Sequence, residues 1–216
     1  MTTPSNQTTD TALAAENTET AAPADVRYRK LQAADQTDMA DHLLRLSSLD
    51  RHLRFGGGTK DEVIQDYVRR LDWSSTVVIG AYVDGVLRGV TEIVRVRMVP
   101  HLSAEVALSV EGPWQNAGVG TELLRRVLTV ARNRFIDRIY LLCLAENKKM
   151  QKIARKFDAN LILHEGEVEG RIWPAWPSYM SLVEEAVSDG TAFFNAVFDA
   201  GRSWPAAEEE KKLTQA

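Results

Sequence analysis

The chain has 216 residues, of which 44% are hydrophobic and 26% are charged, and its formal net charge is -4 at pH 7. This composition is ordinary for a soluble globular protein, and the length allows one domain with added segments. The negative charge predicts no nucleic-acid partner, and without an apolar stretch of about 20 residues we expect no membrane span. The N-terminus lacks the basic start and apolar core of a signal peptide, so we expect a cytoplasmic protein.

The two ends of the chain differ in composition from the region between them. Residues 1–25 contain almost no large apolar side chains, which predicts a disordered leader because such a segment buries too little surface to fold. Residues 26–177 are predicted to form one domain, followed by a helical extension over 178–201 and a charged flexible tail over 202–216. The Phe-rich face of the extension predicts packing within the chain or, alternatively, a homodimer contact.

The domain begins with a short strand and two helices. Residues 26–32 alternate like a strand, and Asp35 then precedes apolar residues at helical spacing. Thr59 and Glu62 have the spacing of a capping box, which predicts the start of a second helix.

Three strands follow in the predicted order. Strands over residues 76–83 and 86–98 flank Asp84-Gly85, a pair that is typical of a two-residue hairpin turn. Residues 103–111 then alternate strictly between apolar and polar or small side chains, which predicts a third strand.

The rest of the domain alternates helices with strands. A long amphipathic helix is predicted to begin near Gly118, and Asn147 is predicted to open another. The apolar run 138–145 predicts a strand buried on both faces, hence parallel pairing, with Cys143 as a buried, inert thiol. One more strand is predicted over 159–165. This order predicts an α/β (α+β) fold with a mixed central sheet flanked by helices.

The sequence QNAGVG, residues 115–120, places two glycines at the start of the long helix. Glycine in a helix costs about 1 kcal/mol relative to alanine, so this backbone needs close approach or a conformation that a Cβ forbids. A helix N-terminus offers unpaired N–H groups and the positive end of the helix dipole, which favour an anion. The residues fit neither a Walker loop nor the dinucleotide fingerprint, and an ordinary tight turn is the alternative.

This sequence resembles the Q/R-x-x-G-x-G/A motif of the GNAT superfamily of N-acetyltransferases. The segment 146–157 is similar to the family's later coenzyme A segment, in which an asparagine opens a helix. The pattern Ala104-Glu105-x-Ala107 resembles the fourth strand of bacterial protein lysine acetyltransferases. The resemblance extends over residues 26–165 and implies the GNAT fold.

The resemblance implies acetyl-coenzyme A as cosubstrate and no metal. The backbone of the glycine motif would hold the pyrophosphate, and Asn147 would contact the pantetheine arm, although a plain helix cap explains Asn147 equally well. The implied cofactor-binding residues are Val110, Gln115, Asn116, Ala117, Gly118, Val119, Gly120, Thr121 and Asn147.

An amine must be neutral before it attacks a thioester, so a general base is the catalytic residue to look for. Strand alternation places Glu105 and Glu111 on the face opposite the core, with Ala107 and Ser109 between them. Glu105 lies among small residues, as at the floor of a cleft, and the resemblance implies that it is the catalytic base. Glu111 lies nearer the glycine motif, where a negative charge would repel pyrophosphate, so we expect it to point away or stay solvated.

The sequence departs from the family at two positions. Ala154 stands where many members carry a tyrosine that protonates the leaving thiolate, and Ala117 stands where a basic residue is common. Another donor or water could replace the tyrosine, or the thiolate could leave unassisted. His52 and Arg54 lie where members often build the acceptor side, yet we expect both at the surface. The histidines show no metal-ligand spacing.

The predicted function is transfer of an acetyl group from acetyl-coenzyme A to a primary amine, by direct attack on the thioester. The acceptor is either a protein lysine or a small molecule, and the sequence does not identify it. The alternative is a non-catalytic acyl-coenzyme A-binding sensor or interaction module on the same fold, which Ala154 favours.

Overall fold

The computed structural model describes residues 25–98, 101–187 and 189. Its strands are β1 (Arg27–Lys30), β2 (Thr76–Val83), β3 (Val86–Met98), β4 (His101–Val110), β5 (Arg138–Leu144), β6 (Asn160–His164) and β7 (Glu167–Ile172). Its helices are α1 (Gln36–Arg45), α2 (Ser48–Phe55), α3 (Asp61–Arg69), α4 (Val119–Asn133), α5 (Lys148–Arg155) and α6, which covers residues 179–187. Within these described ranges, no helix is long and apolar enough to span a membrane.

The strands form one mixed sheet in the order β1-β2-β3-β4-β5-β7-β6. β4 and β5 pair in parallel, and the other neighbouring strands pair antiparallel. Alternate residues of β2 and β3 belong to two separate cores. Helices α1 and α3 pack in one core, and α4 and α5 pack in the other, on the opposite face of the sheet. The predicted α/β fold with a mixed sheet flanked by helices is confirmed.

The turn between β2 and β3 has the predicted hairpin geometry. Asp84 and Gly85 both have positive φ values, 50° and 76°, as a type I′ turn requires. Aspartate and glycine tolerate these values better than most residues, so the dipeptide itself sets the register of the hairpin.

Helix α2 is absent from the sequence-based prediction. It begins after Ser47, whose hydroxyl accepts a hydrogen bond from the Asp50 backbone N–H at 3.1 Å. It ends at Gly56, which adopts the left-handed conformation with φ of 74°. A serine cap and a glycine stop, flanking a helix of eight residues, were therefore visible in the sequence.

The capping box predicted at Thr59 is wrong. Helix α3 begins at Asp61, and the residue before it, Lys60, makes no side-chain cap. The Thr59 hydroxyl instead donates to the carbonyl of Gly57 at 3.3 Å. The glycine-rich loop lets the chain fold back locally, and this turn takes the hydroxyl away from the helix.

Strand β5 is buried on one face only, so the prediction of burial on both faces is wrong. Ile139, Leu141 and Cys143 belong to the core under α4 and α5, whereas Leu142 is 54% exposed. Helices α1 and α3 lie over β2 and β3, which leaves the other face of β5 largely uncovered. The predicted burial of Cys143 is confirmed, and burial raises the pKa of its thiol.

The parallel pairing of β4 with β5 is short. Residues 103–105 pair with residues 138–140, and the pairing stops there. β4 continues to Val110 beside β3, while β5 continues to Leu144 beside β7. The two strands therefore separate like the arms of a V, and the gap between them lies at the start of α4.

Helix α6 packs against β1 and the C-terminal end of α4. Ser181 is fully buried, and its hydroxyl lies 2.7 Å from the side-chain oxygen of Asn133. Glu185 accepts hydrogen bonds from Lys30 at 2.6 Å, from Asn133 at 2.7 Å and from Arg134 at 3.1 Å. Polar contacts of one carboxylate thus attach α6 to the domain.

Several predictions about the ends of the chain lie outside the described residues. They concern the leader up to residue 24, the Phe-rich part of the extension over residues 191–198 and the charged tail over 202–216. The homodimer contact and the flexibility of both ends stay predictions.

We expect Glu185→Gln to lower the free energy of unfolding at pH 7 by about 1–2 kcal/mol, because the carboxylate accepts from two cations. Burial opposes ionisation, but the hydrogen bonds from Lys30 and Asn133 and the nearby cations hold the pKa of Glu185 below its usual value. This stabilisation is complete above the ordinary glutamate pKa of about 4.3 and is lost as the pH falls through the lowered pKa. Urea unfolding curves of the two proteins should therefore converge in acid, once the pH is below the lowered pKa.

The matched control for this experiment is Glu184→Gln. Glu184 lies on α6 beside Glu185 and contacts Arg125 of α4. Because 41% of its side chain is exposed, we expect the free energy of unfolding to fall by less than about 0.5 kcal/mol. Equal losses in the two variants would show that Glu185 does not hold α6 in place.

Candidate active site

A cleft of about 300 Å³ opens where β4 and β5 separate. Helix α2 contributes Asp50, Leu53 and Arg54 to its lining, and β4 contributes Leu108, Ser109 and Val110. The remaining walls are the turn before α4, the first residues of α4 and the outward side of α5. These elements are distant in the sequence, and they meet here because they surround the gap between β4 and β5.

Two glycines shape the start of α4 for different reasons. Gly118 precedes the helix as its N-cap with φ of 86°, a left-handed conformation that a side chain disfavours, although a Cβ there would meet no atom within 4 Å. A Cβ on Gly120 would lie 3.0 Å from Cδ1 of Ile153, so the missing side chain lets α5 pack close to α4. The result is a helix N-terminus whose first backbone N–H groups have no partner within the helix and lie beside the cleft.

The Gln115 side chain links three elements at the cleft. Its Nε2 donates to the Val110 carbonyl and to Oδ1 of Asp50, both at 2.8 Å. Its Oε1 accepts from Nζ of Lys149 at 2.5 Å. Gln115 therefore joins the end of β4 to α2 and α5 and fixes the turn before α4 against both helices.

Asn147 caps α5 and also lines the cleft. Its side-chain oxygen accepts a hydrogen bond from the Met150 backbone N–H at 3.0 Å. The interpretation of Asn147 as a helix cap is thus confirmed, and the position of the residue in the cleft lining is compatible with ligand binding as well.

Helix α5 and its C-cap residue Lys156 also present a row of cations to the cleft, which we call the α5 lysines. Lys149, Lys152 and Lys156 all line it and are exposed, and Nζ of Lys156 lies 3.5 Å from the Thr121 hydroxyl at the start of α4. The sequence analysis missed this row, although the three lysines recur at helical spacing after Asn147. They place positive charge opposite the helix N-terminus on a chain whose net charge is negative.

The structure brings together most of the residues predicted to bind the cofactor. Ala117 is exposed on the turn, outside the cleft lining, and Val119 is buried in the core. The predicted residues that line the cleft are Val110, Gln115, Asn116, Gly118, Gly120, Thr121 and Asn147.

Glu105 lies outside the cleft. It is the last β4 residue that pairs with β5, opposite Tyr140, and its side chain is exposed on the uncovered face of the sheet. The cleft floor is formed instead by residues 108–110, so the expectation that Glu105 lies in that floor is wrong. Within the described part of the chain, Glu105 has no ion-pair partner.

Glu111 points away from the cleft, as one of the two expected alternatives has it, but it is buried instead of solvated. The residue is 6% exposed, and its carboxylate accepts from Arg45 Nε and Arg88 Nη1, both at 2.9 Å. A third contact joins its Oε1 to Nδ1 of His42 at 3.2 Å. Burial opposes ionisation, but these hydrogen bonds outweigh it and hold the pKa of Glu111 below its usual value. The residue just after β4 thus becomes the anchor of α1 on the sheet.

His42 connects Glu111 to the cleft. Its imidazole is fully buried, and its Nε2 lies 2.9 Å from Oγ of Ser109, a residue of the cleft lining. Burial lowers the pKa of His42, and the charges of Arg45 and Arg54 act in the same direction, while Glu111 opposes them. The sequence analysis treated His42 only as one of four scattered histidines, because its partners are more than 60 residues away.

A second buried ion cluster joins α2 and α3 to β3. The Arg54 guanidinium is 12% exposed and donates to the buried carboxylate of Glu92 at 2.7 Å, while the Tyr67 hydroxyl contacts the same carboxylate. The surface placement predicted for Arg54 is therefore wrong. That predicted for His52 is confirmed, since its ring is 42% exposed and contacts Glu146 at 3.0 Å.

Two further sequence observations concern the chemistry of the cleft. Ala154 is buried in the core on α5, so this helix presents no phenol at the position where a tyrosine is common. Among the residues that the structure describes, no group of three or more His, Cys, Asp or Glu side chains could hold a metal ion.

We expect Gly118→Ala to lower the free energy of unfolding by about 1–2 kcal/mol, because a Cβ disfavours the left-handed conformation of the turn. Gly112→Ala is the matched control: this glycine lies in the same connection and has no positive φ, and a Cβ there would also meet no atom within 4 Å. Urea unfolding of both variants measures the difference. A Gly118→Ala protein as stable as Gly112→Ala would mean that the turn relaxes without strain.

Comparison with known proteins places this geometry in a family. The model of the acetyltransferase (GNAT) family matches residues 43–158, which is more than half of the chain. No curated protein sequence matches significantly. The GNAT domain of S. lividans PAT is similar in structure, with a TM-score of 0.60 and 22% identity over 68% of this chain and 90% of that one.

Two other similar structures were solved with a bound ligand. That of yncA from Salmonella typhimurium, with its cofactor acetyl-CoA, has a TM-score of 0.54 and 12% identity over 72% of this chain and 99% of that one. The paia N-acetyltransferase from Thermoplasma acidophilum, in complex with coenzyme A, has a TM-score of 0.53 and 16% identity over 68% and 98%. At these identities the structures support the fold, and the family match over residues 43–158 supports the family. The chain belongs to the GNAT family of acetyltransferases.

Proposed function

We propose that this protein transfers an acetyl group from acetyl-coenzyme A to a primary amine, either a protein lysine or a small-molecule amine. The observation that carries the proposal is the glycine-capped N-terminus of α4, which opens into the gap between β4 and β5. A helix N-terminus binds phosphate through its free N–H groups and its dipole, and the extended gap suits a long pantetheine arm. The similar structures that hold acetyl-CoA or coenzyme A support this choice of ligand.

The charge of the cleft supports an anionic ligand. The α5 lysines face the turn at residues 115–121. Among the described residues that line the cleft, Asp50 is the one carboxylate. Asp50 is itself engaged by Gln115 and by the Ser47 hydroxyl. The α5 lysines therefore supply the positive charge that Ala117, in the position that is often basic, does not.

The carboxylates around β4 support Glu105 as the general base. Glu92 and Glu111 lie on the same side of the sheet, but arginines already engage both carboxylates. Glu105 is exposed and free of such partners in the described structure, so it can accept a proton. At about 3.4 Å per residue, it lies roughly 10 Å upstream of the cleft floor at Leu108, on the side from which an acceptor can approach.

In the proposed reaction Glu105 takes a proton from the amine, directly or through a water molecule. The neutral amine nitrogen then attacks the thioester carbonyl carbon, the carbon–sulfur bond breaks, and the nitrogen loses its second proton to solvent as the amide forms. The leaving thiolate needs no donor at position 154, because a thiol has an ordinary pKa of about 8.5 and its anion is a good leaving group.

We expect the α5 lysines to contribute to coenzyme A affinity. Lys152→Ala and Lys156→Ala should each weaken acetyl-coenzyme A binding roughly fivefold, the loss for a charge contact of about 1 kcal/mol, and the loss should shrink at high salt. Lys148→Ala is the control, because its ammonium donates to the Ala145 carbonyl just before the same helix and does not line the cleft.

Calorimetry with acetyl-coenzyme A measures these affinities. It also measures the affinity of Gly118→Leu, whose side chain would enter the turn before α4, where we propose that the phosphates bind. We expect Gly118→Leu to bind more weakly than either lysine variant while remaining folded. Unchanged affinity in a folded Gly118→Leu protein would place the phosphate site elsewhere.

We expect Glu105→Gln to lower turnover with an amine acceptor by about 10²–10⁴, because it keeps the shape of the side chain and removes the proton acceptor. Acetyl-coenzyme A affinity should hardly change, since Glu105 lies outside the cleft. The defect should shrink at high pH, where more of the amine is already neutral. Thiol release from acetyl-coenzyme A, measured against a panel of amines and lysine peptides, gives both the rates and the acceptor class.

The control for this substitution is Glu167→Gln, which removes another exposed strand carboxylate from β7. Near-normal turnover in Glu105→Gln would contradict its assignment as the base. Binding of acetyl-coenzyme A without turnover on every acceptor would contradict amine transfer and favour the sensor.

A further inference from the structure

A buried serine, histidine and glutamate lie in line beside the cleft, outside the mechanism described above. Oγ of Ser109 is 2.9 Å from Nε2 of His42, and Nδ1 of the same ring is 3.2 Å from Oε1 of Glu111. Ser109 lines the cleft, and His42 is fully buried behind it. This is the order of a nucleophile, a base and an orienting carboxylate.

The surroundings of Glu111 determine where the protons lie. Arg45 and Arg88 both donate to this carboxylate, which keeps it ionised and therefore only an acceptor. Nδ1 of His42 must then carry the proton that the carboxylate accepts. In the neutral ring, Nε2 is left with its lone pair and accepts the hydrogen bond of the Ser109 hydroxyl. The arrangement thus points the serine proton toward a base.

We propose that Ser109, His42 and Glu111 form a catalytic triad that transfers the acyl group of a bound thioester to Ser109 and then to water. Oγ of Ser109 bonds to the carbonyl carbon while its proton moves to Nε2 of His42. The carbon–sulfur bond breaks, and the sulfur takes that proton and leaves as the free thiol. A water molecule then attacks the serine ester, again with His42 as the base, and releases the carboxylic acid and the serine hydroxyl.

The strand that carries Ser109 also offers support for the oxyanion. Pairing between β4 and β5 ends at Glu105, so the β5-facing backbone of residues 106–110 is free of strand partners in the described sheet. N–H groups on this edge can donate to the oxygen that gains charge during attack. This activity, hydrolysis of an acyl thioester without an amine, rests on the proposed binding of acyl-coenzyme A in the cleft.

A fluorophosphonate probe tests the activated serine without any need for coenzyme A. Such probes phosphonylate a serine hydroxyl when a neighbouring base removes its proton. We expect the full-length protein to be modified at Ser109, as located by peptide mass spectrometry, and Ser109→Ala to lose the label. Ser103→Ala is the matched control, because Ser103 is a buried serine on the same strand whose hydroxyl has no hydrogen-bond partner within the described part of the chain.

The pH dependence of labelling separates a triad from a merely structural contact. His42 must be neutral to accept the proton, and the charged groups that face it are Glu111, Arg45 and Arg54. Burial and the two arginines lower its pKa, so the labelling rate should be flat above neutral pH and should fall only in acid. Glu111→Gln should slow labelling at least tenfold, with folding checked by circular dichroism.

Acetyl-coenzyme A without an amine tests the thioester reaction itself. We expect one acetyl group on Ser109 and slow thiol release, which Ser109→Ala should reduce at least tenfold and Ser103→Ala should leave unchanged. A folded protein in which the probe leaves Ser109 unmodified overturns the triad. If calorimetry shows acetyl-coenzyme A binding and neither acetyl-serine nor free thiol forms, the hydrolysis is overturned while the proposed cofactor site stands. If no binding is seen and the probe still labels Ser109, the cofactor site fails and the triad stands.

Discussion

Everything in the cleft follows from the point at which β4 and β5 part. The parallel pairing ends at Glu105 and Tyr140, and beyond it each strand follows a different neighbour. The gap would close if β5 continued beside β4, and the N-terminus of α4 would then face strand backbone. The turn before α4 is instead held at the end of β4 by Gln115, whose side chain donates to the Val110 carbonyl. Gly120 lets α5 pack close to the start of α4. The cleft is therefore lined both by the N-terminus of α4 and by the α5 lysines.

Ion clusters around two buried carboxylates fix α1 and α2 on the face of the sheet opposite α4 and α5. Glu111 anchors α1 through Arg45 and His42, and Glu92 anchors α2 through Arg54. Removing one partner of such a cluster leaves an uncompensated buried charge, which makes these contacts strict constraints on where the helices lie. Arginines engage both carboxylates, so among the described residues Glu105 is the carboxylate on this side of β4 that no cation engages.

The sequence predicted features that depend on near neighbours and missed those that depend on distant ones. Local turn chemistry and hydrophobic periodicity were enough to predict three features. These are the Asp84-Gly85 hairpin, the start of a helix near Gly118 and the mixed sheet. The environment of Glu111 could not be predicted in this way, because strand alternation gives its face but not the helix that covers that face. Likewise, periodicity identified β5 as apolar but could not show that helices cover only one side of it. Helix α2 is an exception among the missed features, because its N-cap serine and its C-terminal glycine are both local signals in the sequence.

The placement of the phosphates at the N-terminus of α4 is tested most directly by backbone amide shifts in nuclear magnetic resonance. Isotope-labelled protein would be titrated with coenzyme A, and each amide would be followed. Hydrogen bonds from the turn to phosphate should move the amides of residues 115–121 most, with smaller shifts along α5, while those of α3 and β1 stay unchanged. Saturable binding that leaves residues 115–121 unmoved and shifts another region instead would contradict the site described here.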